Sequence, residues 1–347
     1  MTAQTVNLYE SNPQRSLKKI NVLFNTYPTA FLPPGGGEVQ LLKTKAALQK
    51  LGVNIKLFNL WAPQFDTVDI VHHFSLLGDP LHFCISAKKI NLPVVVSPIL
   101  WLEKHRKDYP FSIIGRVLDM CDLVLVNSQS ELQQISNFFK IDKNKFFITR
   151  NGVEPVFAKK ISPDLFRKEF GINRPFLLNV GNIEGRKNQL ALIRVTKKIG
   201  IDLIMLGHVR DKNYLNKCLQ EGNKCVRYLG YIKHASPLLR SAYSACELFV
   251  LPSHMETPGL AALEAAAAQA KILVTEEGST KEYFQDMATY VNPYDENDIY
   301  KGIISALNKE KNPLLQKHIL ENFTWEKTAQ QVMGAYNLIL NKQRARL

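Results

Sequence analysis

The chain contains no uninterrupted apolar run approaching the ~20 residues that a bilayer-spanning helix needs, so a transmembrane segment is not expected. Its first residues, Met1-Thr2-Ala3-Gln4-Thr5-Val6-Asn7, lack the basic-then-apolar order of a secretion signal. Cysteine is sparse: Cys84, Cys121, Cys218, Cys225 and Cys246 are odd in number and form no C-x-x-C pair. That usage argues against a disulfide or zinc framework and suits reduced thiols. His72, His73 and His82 have no cysteine or carboxylate at a familiar ligand spacing, so no metal site is expected. No basic helix with base-reading spacing stands out, which argues against nucleic acid as a partner. These absences point to a cytoplasmic protein without repeats or low-complexity tracts.

What is present begins with length. A chain of 347 residues exceeds one ordinary core and suits two domains. The net charge of +13 is spread over both halves rather than held in a tail. It favours anionic partners: nucleotide phosphates, lipid phosphates or an anionic membrane surface. Short runs rich in Val, Ile, Leu and Phe recur at residues 20–24, 54–58, 69–72, 93–96, 123–126 and 146–149. They recur again at 176–180, 203–206, 226–229, 248–251, 272–274 and 289–291. They mostly do not alternate with polar residues, as expected of strands buried on both faces of a parallel sheet. Helical patterns separate them, one over residues 38–51 closed by Gly52 and a last one from Trp325 to about Leu340 with Thr324 as N-cap. The fold class is therefore α/β, with two doubly wound, Rossmann-like parallel-sheet domains and a cleft between them. The expected boundaries are 1–160, 161–325 and a C-terminal helix at 326–347 that packs back toward the first domain. The proline-bearing stretch 153–175 reads as the linker.

Ligands of such sheets bind beyond the carboxyl ends of the strands, and four candidate constellations lie there. Gly35-Gly36-Gly37-Glu38 follows the first strand and allows close backbone approach to a phosphate or sugar. Gly181-Asn182-Ile183-Glu184-Gly185-Arg186-Lys187-Asn188 follows the first strand of the second half. It is not a Walker loop, but Arg186 and Lys187 can neutralise a diphosphate, one as a planar fork and the other as a point charge. Glu256-Thr257-Pro258-Gly259-Leu260 leads into an alanine-rich helix, with proline expected in its first turn and the N–H groups of Gly259 and Leu260 facing a ligand. Glu256 can accept from sugar hydroxyls, and Glu264 can hold a ribose diol. Because Glu264 sits among Leu263 and Ala265 to Ala268, its carboxylate is expected to be buried and to need partners. Finally, His72 stands at the expected end of a strand, open to a catalytic or a structural role.

Together these residues resemble the retaining glycosyltransferases of family 4, which have the GT-B fold. The markers are Gly35-Gly36-Gly37-Glu38, Asp69 to His72, Asn127-Ser128, Asn151-Gly152-Val153, Gly181 with Arg186-Lys187-Asn188, Gly230, Pro252-Ser253 with Glu256 and Glu264, and Gly278-Ser279-Thr280 with Glu282. The resemblance covers nearly the whole chain. It implies that Glu264 holds the nucleotide ribose, that Glu256 is the first glutamate of the E-x7-E pair beside the donor sugar, and that Lys187 and Arg186 face the diphosphate. It implies that Gly35 and Gly36 face the donor phosphates from the first domain. Two departures stand out: Asn182 where many members place an arginine after the glycine, and Thr257-Pro258-Gly259 where many have Gly-Phe-Gly.

The implied activity is metal-independent, retaining transfer of a hexose from a nucleoside-diphosphate sugar to an acceptor hydroxyl, with no separate cofactor. The Arg-Lys-Asn pattern places GDP-mannose ahead of UDP-sugars as donor. The expected acceptor is a glycan or a lipid-linked sugar in polysaccharide or lipopolysaccharide assembly, with peripheral contact to the inner face of the membrane. A nucleotide-sugar epimerase of the same fold and a non-catalytic binding subunit are the alternatives.

Overall fold

The computed structural model describes residues 19–32, 34–102 and 109–345. The chain start read above for a secretion signal and Pro33 lie outside the described residues. Among the described residues, twelve strands form two parallel sheets. The first holds β1 (Asn21–Asn25), β2 (Asn54–Leu57), β3 (Ile70–Phe74), β4 (Val94–Ser97), β5 (Leu123–Val126) and β6 (Phe146–Ile148), ordered β2-β1-β3-β4-β5-β6. The second holds β7 (Phe176–Val180), β8 (Asp202–Leu206), β9 (Val226–Tyr228), β10 (Leu248–Leu251), β11 (Ile272–Thr275) and β12 (Thr289–Val291), ordered β12-β11-β10-β7-β8-β9. Every apolar run read from the sequence became a strand, because helices cover both faces of each sheet and leave little room for polar alternation. In each lobe the strand order reverses next to the lobe's first strand: between β1 and β3, and between β7 and β10. Those two switch points are where loops diverge and leave a crevice.

Each sheet separates two apolar layers. In the first lobe, Leu23, Val71, Val94, Val96 and Val124 face one layer, and Val22, Phe24, Ile70, Val95 and Leu125 face the other. The second layer is completed by Trp325, Ala329, Val332, Ala335, Tyr336 and Ile339 of the helix Trp325–Arg344. The last element of the chain thus seals the core of the first lobe, and Thr324 caps it by accepting from the Lys327 amide.

The stretch 153–175 differs from its reading as a linker. It holds a short 3-10 turn, Pro155–Ala158, and a helix, Asp164–Phe170. Phe157 and Phe166 are fully buried in the core of the second lobe, so two aromatics anchor what its prolines suggested was loose. The five cysteines are free thiols. No helix among the described residues is long and apolar enough to cross a membrane.

Candidate active site

A cleft of about 300 Å³ opens between the lobes at both switch points. The first lobe contributes Thr26, Tyr27 and the 34–40 loop after β1, Ser75 and Leu77 after β3, and Ile99 and Trp101 after β4. The second contributes Gly181, Asn182, Arg186 and Lys187 after β7, Gly207, His208 and Arg210 after β8, Tyr231, Ile232 and His234 after β9, and Glu256, Thr257, Gly259, Leu260, Ala261 and Glu264 after β10.

The glycine loop is built by its own glutamate. Glu38 reaches back to accept from the Gly35 amide at 2.6 Å and also accepts from Tyr27 Oη at 3.0 Å. This closes a capping box at the start of the helix Gly36–Lys50. The loop after β7 is tied to the loop after β10 by Asn188, which donates to the carbonyls of Pro252 and Pro293. Asn188 tolerates the left-handed backbone that this turn needs, at φ 58°.

At the centre lies a buried ion pair, with Lys187 Nζ 2.5 Å from Glu256 Oε1. Glu256 is 3% exposed. Burial pushes its carboxyl up, but the Lys187 and Arg186 charges and the hydrogen bond from Lys187 together hold it below the usual carboxylate value. Burial lowers the Lys187 ammonium, and Glu256 only partly offsets this. A further anion arriving here would therefore be welcomed by the lysine. Arg186 is held differently. It donates to the Met255 carbonyl at 3.1 Å, lies 3.3 Å from Glu184 Oε1, and its guanidinium sits 4.4 Å from the centre of the Trp101 ring of the other lobe.

Glu264 is buried one turn into the helix Leu260–Ala267. It accepts from Tyr243 Oη at 2.7 Å, and His234 Nδ1 lies 3.3 Å away. Burial raises its carboxyl to about 7, against the opposing pull of His234 and Tyr243. His234 is itself held by Glu154, 2.8 Å from its Nε2, and Glu154 in turn pairs with Lys43 of the first lobe. Burial pushes Glu154 up, but hydrogen bonds from His234 and Lys43 outweigh it and bring it down to about 2.

The structure gathers Gly35, Gly36, Gly181, Arg186, Lys187, Glu256, Gly259, Leu260 and Glu264 around one cleft. It does not bring His72 there. β3 runs two residues past His72, so the ring lies within the sheet, fully buried beside Phe24 and Phe74. Its nitrogens face Tyr336 Oη at 2.7 Å and Ser97 Oγ at 2.9 Å. Burial holds the imidazole well below its usual value, so it is a neutral structural histidine. Pro258 also differs from expectation: Gly259, at φ 89°, is the N-cap and Leu260 the first helical residue, so the proline precedes the helix. The sequence reading missed Arg210, His234, Tyr243 and Trp101. Arg210 and His234 were accessible to the same rule that found the others, since both lie in loops just beyond a strand's carboxyl end.

Residues 163–322 match the family model described as Glycosyl transferases group 1. The matched segment coincides with the second lobe. The D-inositol 3-phosphate glycosyltransferase of Mycolicibacterium smegmatis is 24% identical over 68% of this chain and 58% of its own length. The O-antigen chain mannosyltransferase B of Escherichia coli is 24% identical over 68% of this chain and 67% of its own. The chain spans about three-fifths of the length of the first curated relatives it matches. Anabaena Alr3699/HepE, solved in complex with UDP and glucose, superposes with a TM-score of 0.76 over 92% of this chain and 99% of that one, at 15% identity. At that identity the likeness concerns the fold, and the fold is GT-B. The matched segment thus carries Lys187, Glu256 and Glu264, while the glycine loop facing them comes from outside it.

Proposed function

We propose that this chain transfers a hexose from a nucleoside-diphosphate sugar to an acceptor hydroxyl with retention of anomeric configuration. One observation carries the reading: a largely buried Lys187–Glu256 pair at the switch point of the second sheet, eight residues before a second buried glutamate, faces a glycine loop across an interlobe cleft. In this reading Glu264 accepts from the ribose hydroxyls and Lys187 neutralises the pyrophosphate. The first amides of the helix Leu260–Ala267 add fixed dipoles beside it. Glu256 positions Lys187 and accepts from a sugar hydroxyl.

The bond between the anomeric carbon and the phosphate oxygen breaks through an oxocarbenium-like state. The acceptor oxygen bonds to the same face of that carbon, and its proton passes to the departing phosphate oxygen. No protein nucleophile is required. The charge that grows on the phosphate is met by groups already in place, where they act most strongly. Residues on both lobes line the cleft, so closure over the donor would limit hydrolysis. The reaction so written needs no metal.

GDP-mannose is the first donor to test. The Arg-Lys-Asn pattern and the mannosyltransferase relative support it, and the UDP complex of the Anabaena protein supports a UDP-sugar as the second. The acceptor is proposed to be a cell-surface glycan or its lipid-linked precursor, reached from the cytoplasmic side with peripheral attachment to an anionic membrane. The test is a thermal-shift panel of nucleotides and nucleotide sugars, followed by transfer assays with the best donor and NMR of the product anomer. A stabilising sugar nucleotide and a retained anomeric configuration are expected. An inverted product sinks the mechanism. Epimerised donor formed without any acceptor would replace the activity itself.

A further inference from the structure

We propose that Arg210, rather than Arg186, supplies the second positive charge on the donor pyrophosphate; this rests on the nucleotide-sugar reading above. The sequence reading gave that charge to Arg186, because Asn182 stands where an arginine is common in the resembling family. The structure fills the gap from another strand. Asn182 Nδ2 and Arg210 Nη2 pack side by side on Gly35, where an added Cβ would lie 3.0 and 2.7 Å from them. Arg210 follows β8, and its backbone amide bonds to the Ile183 carbonyl in the loop after β7, which fixes it beside Gly181 and Asn182. Its guanidinium reaches across the cleft between Glu184 at 3.7 Å in its own lobe and Glu38 at 3.8 Å in the other. An anion placed between the Gly35 loop and the β7 loop would meet it directly. Burial and then the Arg210 charge hold His208 below the usual imidazole value, as expected of a cation facing the cleft.

Arg186 is the more enclosed of the two. Its side chain is 12% exposed against 30% for Arg210, and it is committed to Met255, Glu184 and the Trp101 ring. Its part is to fasten the two lobes, through Trp101, at the back of the Lys187–Glu256 pair. Arg210 instead joins the glycine loop, the pyrophosphate and the second lobe, so donor binding and approach of the lobes become one event.

The experiment is calorimetric titration of wild type, Arg210→Ala, Arg210→Lys and Arg186→Ala with UDP, GDP, uridine and guanosine. For the nucleotide that wild type binds, Arg210→Ala is expected to weaken the diphosphate at least tenfold. It should leave the matching nucleoside within twofold. Arg210→Lys should recover part of the loss, and Arg186→Ala should cost less than threefold. Gly35→Ala, whose methyl displaces the guanidinium without removing it, should weaken the diphosphate selectively too, and it answers the question if Arg210→Ala fails to fold. Diphosphate affinity within twofold of wild type in a folded Arg210→Ala, or a larger loss in Arg186→Ala, overturns the assignment. If Lys187→Ala and Glu264→Gln weaken binding while Arg210→Ala does not, only Arg210 loses its role. If wild type binds neither UDP nor GDP, the nucleotide-sugar reading falls with it.

Discussion

The two lobes share an architecture and differ in what they do with polar groups at the strand ends. In the first lobe, His72 and His73 are buried within β3 and held neutral, with His73 brought down to about 4 by burial. His72 is satisfied inside the protein by Tyr336 and Ser97. In the second lobe, Glu256 and Glu264 are buried and Lys187 is largely so, yet all three line the cleft. A buried charge with only protein partners is a structural cost. The same charge at a switch point is a site waiting for a charged or hydroxylated ligand. The first lobe therefore lines the cleft with backbone and aromatic groups, and the second lines it with charged side chains.

The largest expected break in that contrast is Lys187→Ala. The remaining Glu256 would be 3% exposed without its closest cation. Removing one preorganised charge from a developing anion typically costs about 10²–10³ in kcat. We expect a loss of that order in transfer, with folding retained because Arg186 still lies 3.8 Å from Glu256. A loss below tenfold, measured with the true donor, would remove Lys187 from the mechanism. The counterpart in the first lobe is His72→Ala. It strands the hydroxyls of Tyr336 and Ser97 and opens a cavity, for about 3 kcal/mol of lost stability. Nucleotide affinity should stay within twofold. Chemical denaturation and a titration of the same sample would separate the two effects, and a tenfold loss of affinity would return His72 to the site.

Glu264 sharpens the comparison through pH. With its carboxyl raised to about 7 by burial, it is largely neutral at pH 6 and largely ionised at pH 8. Only the ionised form accepts two ribose hydroxyls. Nucleotide affinity should therefore be about tenfold weaker at pH 6 than at pH 8. Glu264→Gln should bind about tenfold more weakly at pH 8 and show a flat profile. Stability runs the other way. The folded pKa lies above the unfolded value, so the folded state holds the extra proton between about 4.5 and 7 and loses stability as pH rises through that window. The neighbouring His234, raised by Glu154 and Glu264 despite burial, adds loss in the same direction above its own unfolded value of 6.5. Thermal melts of the ligand-free protein from pH 5 to 8 should slope less steeply in Glu264→Gln.

How the chain could be read follows from the same contrast. Strands buried on both faces announce themselves as apolar runs, so all twelve were legible, as was the closing helix capped by Thr324. Lys187, Glu256 and Glu264 were legible because each follows an apolar run at short range. His72 misled because the strand was read as ending there, while two further residues, His73 and Phe74, continue it. That Lys43, Glu154, His234 and Glu264 join in one chain was not legible: they lie on four separate segments, and only folding brings them together. Arg210 lay in between. The dipeptide Gly207-His208 after β8 marks a loop at the right end of the sheet, but nothing local says that its arginine reaches Gly35.

The smallest expected effect tests the glycine loop itself. A methyl added at Gly36 would meet only Leu260 Cδ1, at 3.9 Å, an ordinary contact. Gly36 is the first residue of the helix Gly36–Lys50, where alanine is conformationally better and typically adds about 0.4–1 kcal/mol of stability. A phosphate held by backbone amides keeps those amides in Gly36→Ala. The variant should therefore melt slightly higher and keep its donor KM within twofold. At Gly35, one residue earlier, the same methyl collides with Arg210. A KM raised tenfold by Gly36→Ala would mean that the donor packs against the Cα of Gly36 itself, and the first lobe would then grip the donor as closely as the second.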